Sequence, residues 1–218
     1  MITVFTPTYN RKDELKKLYK SLLNQNFKDF EWLIVDDGSE DGTEEAIKNF
    51  INENKININY YKQANQGKSV AHNKGVELAK GEFFVGIDSD DIFMTDALEK
   101  IYKYFEVIKD KNEICGICFL NCKKENNQII GSEFPKNKMI DNYYNIYHKH
   151  KVTGDKEMVF KTNILKDYLF PIYENEKFVP EALLFNRICR KYSFLCINEP
   201  VIYKEYLDKG YTSNYFNL

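Results

Sequence analysis

The chain has 218 residues, 43% of them hydrophobic and 29% charged, with a formal net charge of -2. That length allows one large domain, or one domain with an appended lobe, and the composition excludes a disordered chain. The near-neutral balance offers no basic field for nucleic acid, and no unbroken apolar run is long enough to span a bilayer. The opening MITVFTPTYN has no basic leader followed by a long apolar region, so a cytoplasmic location is expected. Five cysteines, at 115, 118, 122, 189 and 196, fit that setting as reduced and mostly buried thiols. A zinc site would need a fourth ligand and clearer pairing.

ITVFT reads as a first short strand. RKDELKKLYKSLLNQ carries Leu15, Leu18 and Leu22 at helical spacing. EWLIVDD is a second strand, with Ser39 or Asp41 placed to cap the helix EEAIKNFI. NINYYK is a third strand, KSVAHNKGVELAK a helix ending before Gly81, and EFFVGI a fourth strand. Thr95 or Asp96 is placed to cap ALEKIYKYFEVI. Such alternation predicts a mainly parallel sheet covered on both faces, with ligands at the carboxyl ends of its strands.

After about residue 110 the rhythm changes. Short β-rich runs are expected at Cys115–Asn121 and Gln128–Ser132, then a loop over NYYNIYHKHK and a strand near Glu157–Phe160. A helix over Pro180–Tyr192 and two strands, FLCIN and VIYKEY, complete the pattern. This half reads as a smaller, irregular lobe packed against the parallel sheet.

Polar clusters follow three of the strands: Thr6 to Asn10, Asp36 to Ser39, and Asp88 to Asp91. The last puts three carboxylates into four residues at the end of an apolar run. Gathering them is unfavourable without protons or a cation, and oxygen ligands favour magnesium, manganese or calcium. An EF-hand would need glycine where Phe93 stands. A phosphatase motif is closer, but ends the first strand of its domain rather than the fourth. Gly67-Lys68-Ser69 has the tail of a P-loop, yet Lys62 occupies the place of the matching glycine. Lys68 remains a candidate phosphate contact beside helix-start amides.

TPTYNR, VDDGSEDGT, NQGKSVAHNKG and GEFFVGIDSDD, in this order and spacing, resemble the family 2 glycosyltransferases of GT-A fold over roughly the first hundred residues. The resemblance implies a Rossmann-like α/β domain with a nucleotide-sugar-binding half over 1–110 and an acceptor-binding half over 111–218. It implies inverting, metal-assisted transfer of a sugar, usually from UDP, to a hydroxyl of a glycan or lipid-linked acceptor. Thr6, Pro7 and Tyr9 match the nucleobase pocket, and Asp37, with Asp36 beside it, the acid that meets the uracil ring. Gly67 and Lys68 match the segment near ribose and phosphates. His72 stands where many relatives carry arginine. Asp88 and Asp90 match the DxD pair: Asp88 and Ser89 face the nucleotide, Asp90 contacts Mn2+ or Mg2+, and Asp91 is a second ligand.

Glu181, which follows Pro180 and opens an apolar helix, takes the place of the carboxylate base; Glu174, Glu176 and Asp155 stand in reserve. Lys204 is a candidate diphosphate contact. His148 and His150 read as solvated or acceptor-facing. The aromatic end, Tyr215, Phe216 and Leu218, is compatible with a peripheral contact at the inner face of a membrane. Two other readings stand beside this one: a nucleotide-sugar-binding subunit without a base, and a phosphoryl or nucleotidyl transfer enzyme on a related scaffold.

Overall fold

The computed structural model describes residues 1–173, 176–177 and 179–204. Glu174, Tyr215, Phe216 and Leu218 lie outside the described residues. The first half alternates as its periodicity dictates: β1 (Ile2–Thr8), α1 (Lys12–Leu23), β2 (Phe30–Asp36), α2 (Thr43–Glu53), β3 (Asn57–Lys62), α3 (Lys68–Leu78) and β4 (Phe83–Gly86). β1 pairs in parallel with β2 and β4, and β2 with β3. The order 3-2-1-4 makes the chain change direction across the sheet beside β1, where a crevice opens at the carboxyl ends. Neither Ser39 nor Asp41 is the cap residue of α2, which is Gly42. Asp41 still closes that end, its Oδ1 accepting from the Thr43 amide at 3.0 Å.

The second half extends the sheet instead of packing on it as a separate layer. β5 (Ile92–Phe93) comes after the acidic turn, then α4 (Ala97–Ile108), β6 (Ile114–Lys123), β7 (Met139–Asp141) and α5 (Tyr143–His148). β8 (Lys156–Lys161), α6 (Thr162–Lys166), α7 (Glu181–Ile188) and β9 (Ser193–Lys204) complete the described elements. β8 lies antiparallel between β4 and β6, and β9 runs parallel to β6 while pairing antiparallel with β5 and β7. Three local expectations change. Residues 128–132 contribute one isolated bridge, Cys122 to Ile129, and no strand. The tyrosine-rich loop contains α5, because the Asn142 side chain accepts from the Asn145 amide and starts a helix. FLCIN and VIYK form one strand, since irregular pairing carries β9 past Pro200; Glu205 and Tyr206 of the expected run lie outside the described residues.

Side chains alternate between the two faces. Ile2, Val4, Trp32 and Ile34 join Leu15, Leu18, Ile47, Leu98 and Ile101 on one face. Phe5, Leu33 and Val35 join Ala71, Val76, Leu184 and Ile188 on the other. Where β6 meets β8 the backbones approach so closely that a Cβ at Gly116 would lie 1.9 Å from the Val159 carbonyl oxygen. Gly116→Ala is therefore expected to lower unfolding stability by about 2–4 kcal/mol, read by urea denaturation, with a larger loss for Gly116→Val.

Candidate active site

The cleft is built from the carboxyl ends of the parallel strands. After β1, Asn10 takes a positive φ of 52°, and its amide donates to Ser39 Oγ at 2.8 Å while its Oδ1 accepts from the Glu40 amide at 2.9 Å. The loops after β1 and β2 are thereby tied together. Tyr9, at 48% exposed, stands open beside the partly buried Pro7. Thr6 is sealed: its hydroxyl accepts from the Trp32 indole at 3.0 Å, so its side chain supports the wall from inside and does not face a ligand. Asp36 is also internal, accepting from the Ser39 amide and from the Tyr60 hydroxyl, each at 2.8 Å. That phenol is pushed well above its ordinary pKa by burial and by the carboxylate.

Asp37 organises the next loop. Its Oδ1 accepts from the Gln66 amide and Gln63 Nε2 at 2.8 Å, and its Oδ2 accepts from the Gly67 amide at 2.7 Å. Gly67, with φ of 96°, is the N-cap residue just before α3. A Cβ there would lie 2.3 Å from the Lys177 carbonyl oxygen, and Lys177 Nζ donates to Asn65 Oδ1 at 2.6 Å. The segment leading into α7 thus rests on the loop that Asp37 holds.

Lys68, the first residue of α3, joins the two halves. Its ammonium lies 2.7 Å from Asp88 Oδ1 and 3.2 Å from Glu181 Oε1. Against desolvation, these two carboxylates raise its pKa well above the ordinary lysine value. Asp88 is desolvated too, but Lys68, Lys204 and Arg11 outweigh that cost and lower its pKa. The acidic turn therefore finds cations that the local sequence did not reveal. Besides Asp88 with Lys68, Asp90 lies 3.8 Å from Arg11, and Asp91 lies 2.9 Å from Lys204. Asp91 is almost buried, and burial with Asp88 and Asp90 pushes its carboxyl up to about 6 in spite of Lys204. Ser89 is buried in the same turn.

Lys204, expected at the diphosphate, is engaged with Asp91. Asp155 is exposed, and of the described candidates for a base only Glu181 is in contact with the cleft lysine. His148 is exposed against Tyr144, as a solvated residue should be. His150 departs from that expectation: its Nε2 is 2.8 Å from Asp141 Oδ2, a clasp at the start of α5. Two residues of the charged cluster escaped the sequence reading. Arg11 comes directly after the first strand cluster, and Glu157 is the one acid within the buried run KEMVFK.

A divalent ion can be tested against this turn. Among the described residues, no three Cys, His, Asp or Glu side chains converge into a complete cage. Magnesium-type sites need only one or two carboxylates, taking their other ligands from substrate phosphates and water. Asp90, partly exposed and held only by a long contact to Arg11, fits that demand; Asp91 is the more committed of the pair.

The geometry defines a mixed α/β domain with an acidic strand end linked through Lys68 to a helix-borne carboxylate. The family model described as Glycosyl transferase family 2 matches residues 3–169, and the chain belongs to that family. It is 32% identical over 200 residues to GalNAc(5)-diNAcBac-PP-undecaprenol beta-1,3-glucosyltransferase of Campylobacter jejuni, a match covering 88% of this chain and 61% of that protein. The chain superimposes on S. aureus TarS in complex with UDP-GlcNAc with TM-score 0.74 and 24% identity, covering 97% of this chain and 60% of that one. It also matches the mannosyltransferase PcManGT of Pyrobaculum calidifontis in complex with GDP-Man and Mn2+ (TM-score 0.68, 19% identity, 97% and 59% covered). These two likenesses show the GT-A fold. The chain spans about three fifths of the length of these proteins. Among the described residues, no helix is long and apolar enough to cross a membrane.

His72, one turn along α3 from Lys68, packs edge-on to Phe5, Phe84 and Phe170, and its buried Nδ1 has no partner. Burial, with Lys68 nearby, lowers its pKa to about 4 against the opposing pull of Glu181. The unfolded chain then binds the extra proton between about pH 6.5 and 4, so stability falls as pH drops through that window. His72→Leu is expected to remove this part of the acid slope, on the order of 2 kcal/mol, in melting temperatures measured from pH 7 to 4.

Proposed function

We propose that this chain transfers a sugar, with inversion, from a nucleotide diphosphate donor to an acceptor hydroxyl. The observation that carries the reading is Lys68, whose ammonium contacts both Asp88 at the end of β4 and Glu181 at the start of α7. One cation thus links the candidate donor side to the candidate base. The nucleobase is placed against Tyr9 and Pro7, near the loop held by Asp37, and the ribose near Asp88. Lys68, presented at the start of α3, meets the phosphates.

As the acceptor oxygen forms its bond to the anomeric carbon, the bond from that carbon to the diphosphate oxygen breaks. The electron pair leaves with the diphosphate. The acceptor proton passes to Glu181, the carboxylate on the opposite face. The positive charge of Lys68, held at the cleft by two acids, stabilises the charge growing on the leaving group. Asp90, with Asp91, would hold a Mn2+ or Mg2+ ion, which when bound supplies further neutralisation of that charge. UDP is the favoured nucleotide, supported by the likeness to TarS with UDP-GlcNAc; the metal is supported by the likeness to PcManGT with Mn2+. A lipid-linked glycan is the favoured acceptor, since the Campylobacter relative is named for a PP-undecaprenol substrate. Work on such an acceptor would place the protein at the inner face of a membrane.

The defining experiment is a panel of nucleotide sugars screened for thermal stabilisation and slow donor hydrolysis, with and without manganese. UDP-sugars should stabilise the protein, more so with manganese; a chain indifferent to every nucleotide sugar would sink the reading. Glu181→Gln should keep UDP affinity and lose transfer by at least about a hundredfold. UDP binding that survives in the wild type, with neither transfer nor hydrolysis, would favour a binding subunit instead. Asp90→Asn should weaken the manganese-dependent part of UDP binding about tenfold or more, while leaving the manganese-independent part unchanged in titration calorimetry.

A further inference from the structure

Tyr143 and Tyr147 stand four residues apart in the tyrosine-rich segment, so one turn of α5 brings their rings together, with centroids 4.8 Å apart. Both pack against the cluster that holds Leu184 and Ile188 of α7 and Ala71 and Val76 of α3. They therefore share the face of the sheet that carries Lys68 and Glu181. The Tyr143 amide donates to Cys189 Sγ at 2.9 Å, just past the end of α7. Its ring lies edge-on to Phe185, one turn back, with centroids 5.2 Å apart. Cys189, Phe185 and Glu181 succeed one another at four-residue steps along one side of α7, and helical side chains lean toward the helix N-terminus. The phenol thus runs along α7 toward Glu181.

Electrostatics give the same direction. Burial pushes the Tyr143 phenol up to about 12, and of its titratable neighbours Glu181 adds most, ahead of Cys118, Cys189 and Asp155. Among the described residues, none hydrogen-bonds to the Tyr143 hydroxyl, and that oxygen is not one of the sealed, unpartnered atoms of the interior. The ring is held at both ends and its polar tip is open.

Glu181 is met from two flanks. Lys68 arrives with α3, which lies against β1 and β2. Tyr143 arrives with α5, which follows β7 at the side of β9. In the reading above, the donor phosphates take the Lys68 flank. The Tyr143 flank is left for the molecule that gives its proton to Glu181. Half-buried aromatic rings with one free hydroxyl suit a saccharide: apolar surface for the ring, and a group that both donates and accepts for its hydroxyls.

Resting on Glu181 as the base, we propose that Tyr143 is an acceptor-binding residue, whose hydroxyl hydrogen-bonds a hydroxyl of the acceptor sugar other than the one that reacts. That second contact fixes which oxygen faces Glu181 and orients it for attack.

The test is transfer by the whole chain, with manganese, from the UDP-sugar that the wild type binds most tightly to octyl β-glycosides of glucose, galactose, GlcNAc and GalNAc. Tyr143→Phe keeps the ring and removes only the oxygen. It should hold UDP-sugar affinity within about twofold in calorimetry and lower kcat/KM for the best glycoside about tenfold. Deoxy forms of that glycoside, each lacking one ring hydroxyl, supply the paired readout. In the wild type, one form that still carries the reacting oxygen should lose about tenfold; in Tyr143→Phe the same form should lose no more than about twofold. Losses that multiply independently for every deoxy form would overturn the proposal, as would unchanged acceptor kinetics in the variant. A Tyr143→Phe chain that does not fold would overturn it too, since the hydroxyl would then be part of the framework. So would a wild type that hydrolyses the donor but transfers to none of the glycosides. Glu181→Gln separates the two readings. Transfer that survives in it removes the base on which the proposal rests; transfer lost in it but unchanged in Tyr143→Phe removes only the role of Tyr143.

Discussion

The cleft depends on one buried carboxylate, Asp37, and the three N–H groups it captures. Two are backbone amides, of Gln66 and Gly67, and the third is the side-chain amide of Gln63. Bonds from N–H groups to an ionised carboxylate are among the stronger ones, and here they draw a loop against the end of β2. That closure fixes where α3 starts, hence where Lys68 projects. The same loop carries Lys177 through Asn65 and through the bare backbone of Gly67, so the approach to α7 is set by it as well. A side chain at position 67 would meet the Lys177 carbonyl, and the positive φ disfavours one independently. The two halves are thus registered against each other by a contact that starts at one acid.

The acidic turn is stable because its neutralisation comes from elsewhere in the chain. Arg11 precedes α1, Lys68 opens α3 and Lys204 ends the described part of β9. Each reaches a different aspartate. Partly buried charges are tolerated when each has a partner, and this arrangement gives the turn three partners from three elements. It also leaves the partners unequal. Asp91 is nearly enclosed and close to its lysine, whereas Asp90 is more open and farther from its arginine. The open acid is the one able to accept a new ligand without first breaking a short ion pair.

The alternation of the first half was legible because each element there has a strong period and is bounded by polar turn residues. Leu15, Leu18 and Leu22 mark a helix, and the strands between are continuous apolar runs. The order of four short motifs brought Lys68, Asp88 and Asp90 into view, and the helix that opens after Pro180 brought Glu181. The partners of those residues were not legible, since ion pairs such as Asp91 with Lys204 span 113 residues. Nor did the motifs separate residues that face the cleft from those that hold its walls: Thr6 and Asp36 lie inside the pattern, but their polar atoms are used by Trp32, Ser39 and Tyr60. In the second half α5 starts on a side-chain cap and not on a periodic apolar face, and β9 crosses a proline through bulged pairing. Both features escape a reading based on hydrophobic period.

The second half contributes to the cleft through a reversal of strand direction. In the first half every strand runs the same way, so only the residues just past each strand's carboxyl end can reach the ligand edge. β8 enters antiparallel beside β4, and its beginning, not its end, therefore lies at that edge. β6 and β9 run opposite to β8 and place their ends there. One edge thus receives Asp88 after β4, Glu157 near the start of β8, Asn121 near the end of β6 and Lys204 at the end of β9. A purely parallel continuation would have put the start of β8 on the far edge, some 20 Å away at the rise of a six-residue strand. The mixed topology is what allows residues as distant in the chain as Asp37 and Lys204 to serve one cleft, and it explains why its chemistry is concentrated on a single side of a nine-stranded sheet.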